Sequence, residues 1–164
     1  MTGQRSSGRS LKGGRRMRKA LFMQYTEKTV RQSIDDIHAV LVDYNAKAIS
    51  FKYENQEIIG ISFILEVDGV DIPYKIPCKW REVLGLLLEK RKDTQKLRED
   101  AKRIAWRTNF KLVEALCAFS ISRQAEMAEL FLPWMAIQGD KTLYEKFKES
   151  GFKLLKSKNE PANS

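Results

Sequence analysis

Apolar and polar positions recur along the chain with two different periods, and the change of period divides it into elements. Between Val30 and Tyr44, apolar residues return every three or four positions, which predicts a helix with one buried face. Thr29 and Gln32 have the spacing of a capping box at its start. Asn45 is a suitable left-handed residue at its end. The pattern therefore predicts an amphipathic first helix.

Three runs after this helix have the alternation and composition of β-strands. The runs are 48–53, 57–67 and 70–76. Asp68-Gly69 between the last two predicts a two-residue hairpin turn. Gly60 predicts a β-bulge, and Pro73 lacks an N–H group, which favours an edge position for the third run. A further short strand is expected over 22–26, so the predicted order is β-α-β-β-β.

The remaining pattern is helical, and its main element is one long helix over Gln95–Phe119. Thr94 is a candidate N-cap for it, and a short helix is predicted before it over 80–88. The first half of the long helix is charged on every side, whereas its second half is apolar nearly all round. We therefore expect the first half at the surface and the second half in the core. Helices over 122–132 and 142–150 follow.

Together these elements predict an α+β fold. An antiparallel sheet of three to four strands packs against helices, and a C-terminal helical segment with one long central helix follows. A chain of 164 residues has the length of one domain. We expect a disordered basic tail (1–22), a single folded domain (23–155) and a disordered C-terminus (156–164).

Basic residues are concentrated in two segments. Residues 1–22 contain seven Lys or Arg and no acid, and residues 75–111 contain twelve Lys or Arg and five acids. The whole chain has a net charge of +9, so the remainder is slightly acidic. A detached basic arm is typical of contact with nucleic-acid phosphates, although a solvated, solubilising arm is an equal alternative. Met17 and Met23 are alternative start positions.

The candidate nucleic-acid contacts are basic residues of these two segments. Arg103, Arg107 and Lys111 share one face of the long helix at i, i+4 and i+8. Since Arg107 and Lys111 lie where the helix is otherwise apolar, partial burial and pairing, with Glu114 or an acid of the sheet, is the competing expectation. The full predicted contact set is Arg15, Arg16, Arg18, Lys19, Lys75, Lys79, Arg81, Lys96, Arg103, Arg107 and Lys111.

Aromatic residues near the second basic segment could add stacking contacts. Tyr53, Tyr74 and Trp80 lie on the predicted strands or just after them. A basic groove with stacking aromatics holds single strands without reading their sequence. Core packing of the same aromatics is the alternative.

Residues with the chemistry of catalysis are few. His38 is the one histidine, and the two cysteines, Cys78 and Cys117, have no zinc-site spacing. We expect Cys117 to be a core residue, and we predict no cofactor, no metal and no enzymatic activity. A metal-dependent nuclease stays a minor alternative because three acids flank the hairpin. These acids are Glu66, Asp68 and Asp71. The sparse cysteines and the lack of a long apolar run predict a cytoplasmic protein without a membrane partner.

A compact apolar cluster near the C-terminus suggests a second kind of surface. Phe131, Leu132, Trp134 and Met135 surround Pro133. If exposed, Phe131, Trp134 and Met135 would form a protein-interaction patch. Core packing is the competing interpretation.

Short motifs in the second half of the chain resemble a family of small bacteriophage and prophage proteins. The motifs are AWR at Ala105–Arg107, FLPWM at Phe131–Met135, TLYEKF at Thr142–Phe147 and GF at Gly151-Phe152. The first helix and hairpin are similar in style, so the resemblance covers most of Met23–Leu155, without the basic tail. It implies a mobile element in a bacterial host, often beside replication and recombination genes, and no known activity.

Two functional hypotheses follow. The leading one is a non-enzymatic nucleic-acid-binding protein of a phage or mobile element, acting on single-stranded DNA or on replication or recombination intermediates. The alternative is a protein-interaction module, a phage factor that binds a host or replication protein. Homo-oligomerisation is compatible with both.

Overall fold

The computed structural model describes residues 20–138 and 140–153. The elements in chain order are α1 (Val30–Asp43), β1 (Ala48–Glu54), β2 (Glu57–Val67), β3 (Val70–Pro77), α2 (Trp80–Leu88), α3 (Gln95–Ile121), α4 (Met127–Leu130), a 3-10 turn (Leu132–Trp134) and α5 (Leu143–Glu149). This confirms the predicted α+β fold with one long central helix. The predicted disordered C-terminus and nearly all of the predicted basic tail lie outside the described residues.

The start and end of α1 follow from its sequence. The Thr29 hydroxyl accepts a hydrogen bond from the Gln32 backbone N–H at 3.1 Å, and the Gln32 side chain accepts from the Thr29 N–H at 2.9 Å. This reciprocal pair satisfies two backbone donors that a helix start leaves without partners. Asn45 has a φ of 62°, which ends the helix in the left-handed region. The predicted capping box and stop are both confirmed.

The described sheet is antiparallel with the order β1-β2-β3, so β3 lies at an edge as Pro73 predicted. The turn between β2 and β3 has positive φ at Asp68 (51°) and Gly69 (78°), as the hairpin prediction requires. The partner of β1 jumps from Gly60 to Ile58, which is the predicted bulge.

One face of the sheet packs against α1 and α3 and forms the main core. Phe63 and Tyr74 stack at its centre with ring centroids 5.4 Å apart, and Trp106 of α3 is buried against the same cluster. The other buried side chains of α3 in this cluster include Phe110, Val113 and Cys117. The second half of α3 is therefore in the core, as predicted, and Cys117 is a core residue.

A smaller apolar cluster joins α2 to the first half of α3. Leu97 and Ala101 of α3 are buried against Leu87 of α2, and Leu21 from the N-terminal side packs on them. The first half of α3 was predicted to lie at the surface on every side, and this prediction is wrong for the face that contains Leu97 and Ala101. Its few apolar positions fall on one face, and α2 covers that face.

Two predicted elements have a different structure. The expected strand over 22–26 is a pair of turns, in which the Gln24 N–H bonds to Leu21 O and the Thr26 N–H to Met23 O, each at 3.0 Å. These local bonds, with a φ of 59° at Met23, use backbone groups that a strand would offer to a neighbour. The expected helix over 122–132 is reduced to α4, because Arg123 turns the chain with a φ of 57°.

Candidate nucleic-acid interface

The predicted basic stripe on α3 is largely occupied by contacts within the protein. Arg107 Nη1 donates to Asp36 Oδ2 of α1 at 2.7 Å, and its guanidinium lies 4.1 Å from the centre of the Phe110 ring. Arg103 donates to the carbonyl of Thr26, which lies three residues before Thr29, the N-cap of α1. Only 13% of the Arg107 side chain is exposed, so its charge is directed into the fold.

Lys111, the last residue of the stripe, also has internal partners. Its ammonium group is 2.7 Å from Glu114 Oε2 and 5.1 Å from the centre of the Phe110 ring. The pairing of Lys111 with Glu114 agrees with the competing expectation from the sequence. Arg107 pairs with an acid of α1 rather than with an acid of the sheet.

The basic residues before α3 lie on other parts of the surface. Lys75 on β3 forms an ion pair with Asp140, and Arg81 at the start of α2 bonds to Glu54 at 3.1 Å through both terminal nitrogens. Lys79, the residue before α2, is exposed and has no ion pair or hydrogen bond from its side chain within the described ranges.

These residues do not join the α3 stripe in one patch. Asn109 Nδ2 donates to the carbonyl of Pro77 at 3.2 Å, so the connection between β3 and α2 lies against the Asn109 side of α3. Asn109 and Arg107 are two positions apart, which places them about 160° apart around the helix. Lys79 therefore approaches α3 from one side, while Arg107 faces α1 on the other.

The aromatic residues expected to stack on bases have three different environments. Tyr74 is fully buried in the main core, so its prediction as a stacking platform is wrong: alternation along β3 points it at the helices. Trp80 is half-buried, with the Arg81 guanidinium 5.1 Å and the Lys102 ammonium 5.0 Å from its ring centre. Tyr53, at the end of β1, is 62% exposed.

Three consecutive basic residues lie exposed in the connection between α2 and α3. We name Lys90, Arg91 and Lys92 the basic turn. Lys90 and Lys92 are exposed and, like Lys96 in the first turn of α3, have no side-chain partner among the described residues. Arg91 is 53% exposed and forms an ion pair of 3.9 Å with Asp100.

The acid that follows the basic turn does not neutralise it. Asp93 forms two hydrogen bonds with Arg98, at 2.7 and 2.9 Å. This bidentate contact holds the pKa of the Asp93 carboxyl below its usual value. Among the predicted contacts that fall within the described residues, only Lys96 lies beside the turn. The three residues of the turn were missed as contacts, although the uninterrupted run Lys-Arg-Lys was a visible signal.

The described chain begins beside this basic turn. Ala20, Leu21 and Gln24 line a shallow cleft of about 130 Å³ together with Lys90 and Arg91. Leu21 is held there by the apolar cluster of α2 and α3, and its N–H donates to Gln24 Oε1 at 3.0 Å. The predicted contacts Arg15, Arg16, Arg18 and Lys19 lie outside the described residues and directly precede Ala20 in the sequence.

The predicted protein-interaction patch is mostly packed. Phe131 is completely buried, with its ring centroid 5.4 Å from that of Phe63 and 5.8 Å from that of Tyr74. The prediction of an exposed Phe131 is therefore wrong, because this ring fills the core beyond the edge of β3. Trp134 and Met135 are half-buried, and Met135 forms a β-bridge with Tyr74.

Features of other functional classes are sparse in the part of the chain that the structure describes. No three His, Cys, Asp or Glu residues there are grouped to hold a metal ion. Of the acids at the β2–β3 hairpin, Glu66 and Asp71 both pair with Lys47. None of the described helices is both long enough and apolar enough to span a membrane.

Comparisons with protein-family models, with curated proteins and with solved structures gave no match to this chain. The resemblance to phage and prophage proteins thus stays a prediction from short motifs.

Proposed function

We propose that this protein is a non-enzymatic nucleic-acid-binding protein of a phage or mobile element. The observation that carries the proposal is the position of Ala20 beside the basic turn. Seven basic residues without an acid precede Ala20 in the sequence, and three more lie in the turn. Lys and Arg side chains that replace the counterions of phosphates provide binding that does not depend on base sequence.

The proposed ligand is single-stranded DNA, or a replication or recombination intermediate with single-stranded parts. A helix that reads duplex DNA needs an exposed basic face to enter the major groove. In the described fold α3 is flanked by α1, α2 and the sheet, and the exposed surface of α1 carries Asp35 and Asp43. A single strand can instead follow separate basic residues and stack on an exposed ring such as Tyr53.

Fluorescence anisotropy with a labelled thirty-nucleotide oligo-dT tests the proposal directly. At low salt we expect saturable binding, with the logarithm of the association constant falling linearly as the logarithm of salt concentration rises. A variant with Arg15, Arg16, Arg18 and Lys19 replaced by Gln should bind more weakly and with a smaller salt slope. Constant anisotropy at low salt with both single- and double-stranded DNA would contradict the proposal.

A protein-interaction module is the second candidate function, favoured by one cleft. Pro133 and Trp134 line an open cleft of about 540 Å³ between α3 and α5, and Tyr144 on its wall is 50% exposed. A host or phage replication protein could insert an apolar side chain there. In a pull-down from bacterial lysate treated with nuclease, a retained partner that is lost with Trp134→Ala supports this function. Recovery only without nuclease favours nucleic acid.

A further inference from the structure

The face of the sheet that points away from α1 and α3 carries a group of polar side chains at one end. Ser50 pairs with Ser62, and Ser62 pairs with Lys75, so one cross-strand row has two hydroxyls and an ammonium group. The next row contains Lys52 opposite Gly60. Alternation along the strands places these residues on the face opposite Phe63 and Tyr74 of the core.

These side chains line an open depression of about 470 Å³ on the outer face. Asp140, from the segment between the 3-10 turn and α5, reaches into it. Its carboxylate pairs with Lys75 through one oxygen and with Lys52 at 3.3 Å through the other. Gly60 has no side chain there, and a Cβ at this position would stand 3.3 Å from the carbonyl of Ile76. The floor of the depression at Gly60 is thus bare backbone beside Lys52.

The opposite end of the same face has the reverse arrangement. There one cation, Lys47, lies between two carboxylates, Glu66 and Asp71. At the first end, one carboxylate lies between two cations, and the lysines hold the pKa of Asp140 below its usual value. At the Lys52 end, both ammonium groups share the carboxylate of Asp140. The other acid that lines the depression, Glu145, accepts a hydrogen bond from the Thr142 backbone N–H at 2.8 Å.

We propose that the depression is a binding site for a phosphate-type oxyanion, and that Asp140 is its internal competitor. A carboxylate and a phosphate use the same donors, and here two ammonium groups meet at Asp140 while two serines line the same depression. A phosphate carries more charge and more acceptor oxygens than the Asp140 carboxylate, so it can displace the carboxylate and use the serine donors as well. This site is separate from the basic turn and does not rest on the proposed function.

The test is a titration of the isotopically labelled protein with inorganic phosphate, followed by two-dimensional nitrogen–proton spectra at constant ionic strength in chloride. We expect saturable shifts of the Ser50 and Ser62 amides. Asp140→Asn should lower the Kd for phosphate by about two- to fivefold, the range expected from an exposed ion pair. Lys75→Gln should abolish saturation. Asp71→Asn, which removes a carboxylate from the other end of the same face, is the matched control and should leave the Kd unchanged.

Two outcomes would overturn the site, provided that each variant keeps the dispersed spectrum of the folded protein. One is a shift that stays linear in phosphate concentration for both the parent and Asp140→Asn. The other is an equal effect of Asp140→Asn and Asp71→Asn, which would indicate general electrostatics rather than a site.

The source of the phosphate is distinguished by a second pair of probes, thymidine trinucleotides with and without a 5′-phosphate. Shifts with both indicate a nucleic-acid backbone, whereas shifts only with the 5′-phosphorylated probe and inorganic phosphate indicate a free or terminal phosphate; either supports the site. Repeating the titration with the basic turn changed to Gln separates this site from the proposed function. If that variant no longer binds oligo-dT but its Ser50 and Ser62 amides still shift with phosphate, the protein has two independent sites.

Discussion

Arg107 of α3 and Asp36 of α1 form an ion pair of 2.7 Å that joins the two helices covering the sheet. The guanidinium also packs on Phe110, whose ring belongs to the main core. A pair in this position orients two helices against each other, and its cation is not free for a phosphate. The i, i+4 spacing suggested a binding face, but at Arg107 it places the side chain in the contact between α3 and α1.

Replacing Arg107 should destabilise the fold more than it weakens nucleic-acid binding. Arg107→Gln leaves Asp36 without its partner and removes the contact with Phe110, so we expect a loss of about 2 kcal/mol in the free energy of unfolding. Urea denaturation measures this loss, and Lys96→Gln on the exposed side of the same helix is the control, expected to change it by less than about 0.5 kcal/mol. An unchanged stability of Arg107→Gln together with a large loss of oligo-dT affinity would show that Arg107 is a contact after all.

The local elements were largely predictable because their signals lie within a few residues of each other. The side chains of Thr29 and Thr94 accept hydrogen bonds from backbone N–H groups only three residues further along, and Gln32 bonds back to Thr29. Asp68-Gly69 itself adopts the positive φ angles of the turn. Strand alternation and helix period likewise depend on neighbours in sequence. The same reasoning failed over 22–26, where the backbone bonds locally in turns next to Leu21, which packs on α2 and α3.

The candidate sites were less predictable because they depend on contacts between residues that are far apart in the sequence. Nothing in the spacing of Arg103, Arg107 and Lys111 reveals that Arg103 bonds to the Thr26 carbonyl and Arg107 to Asp36 of α1. The pairing of Asp140 with Lys52 and Lys75 joins residues far apart in sequence, so no local pattern could indicate it. The basic turn was visible as a run of charges, but its position beside Ala20 follows only from the fold.

Replacing two exposed glycines with alanine should change the free energy of unfolding in opposite directions, because their backbone conformations differ. Gly69 has a φ of +78° and Gly85 lies inside α2, and a Cβ added to either would meet no atom within 4 Å. Gly69→Ala should therefore cost about 1 kcal/mol, because an L-residue is strained in the left-handed region. Gly85→Ala should gain about 0.5–1 kcal/mol by reducing the entropy of the unfolded chain. Thermal and urea unfolding check both, and a change of the same sign at the two positions would contradict this account.

The two cysteines should make the protein less stable in alkali. Burial raises the pKa of the Cys78 thiol to about 12 and that of the Cys117 thiol to about 11. Above pH 9 the unfolded chain releases these protons while the native state keeps them, so stability is complete below about pH 8 and falls towards pH 11 and 12. Each thiol should contribute a slope of up to about 1.4 kcal/mol per pH unit.

The measurement is the free energy of unfolding between pH 7 and 11 for the parent and for Cys78→Ala and Cys117→Ala. All three proteins contain the same tyrosines and lysines, so the difference between the curves isolates each thiol. The native protein should also resist a thiol reagent at pH 8 and react at both cysteines once unfolded. Parallel curves for all three proteins, or rapid labelling of the native state, would show that the thiols are accessible.

The basic turn and the basic tail (1–22) should together determine the salt dependence of nucleic-acid binding. Lys90→Gln, Arg91→Gln and Lys92→Gln combined remove three exposed cations. Among the described residues, Arg91 has an ion pair of 3.9 Å with Asp100, whereas Lys90 and Lys92 have no side-chain partner. If all three contact phosphates of a single strand, the slope of log affinity against log salt should decrease in magnitude by about two. Lys146→Gln with Lys148→Gln, on the exposed surface of α5, removes two positive charges elsewhere and should change the slope little. Stability should be unaffected in both variants, since these side chains are exposed. Losses of slope in proportion to the charges removed, three in one variant and two in the other, would mean that binding responds to net charge and that the basic turn has no special role.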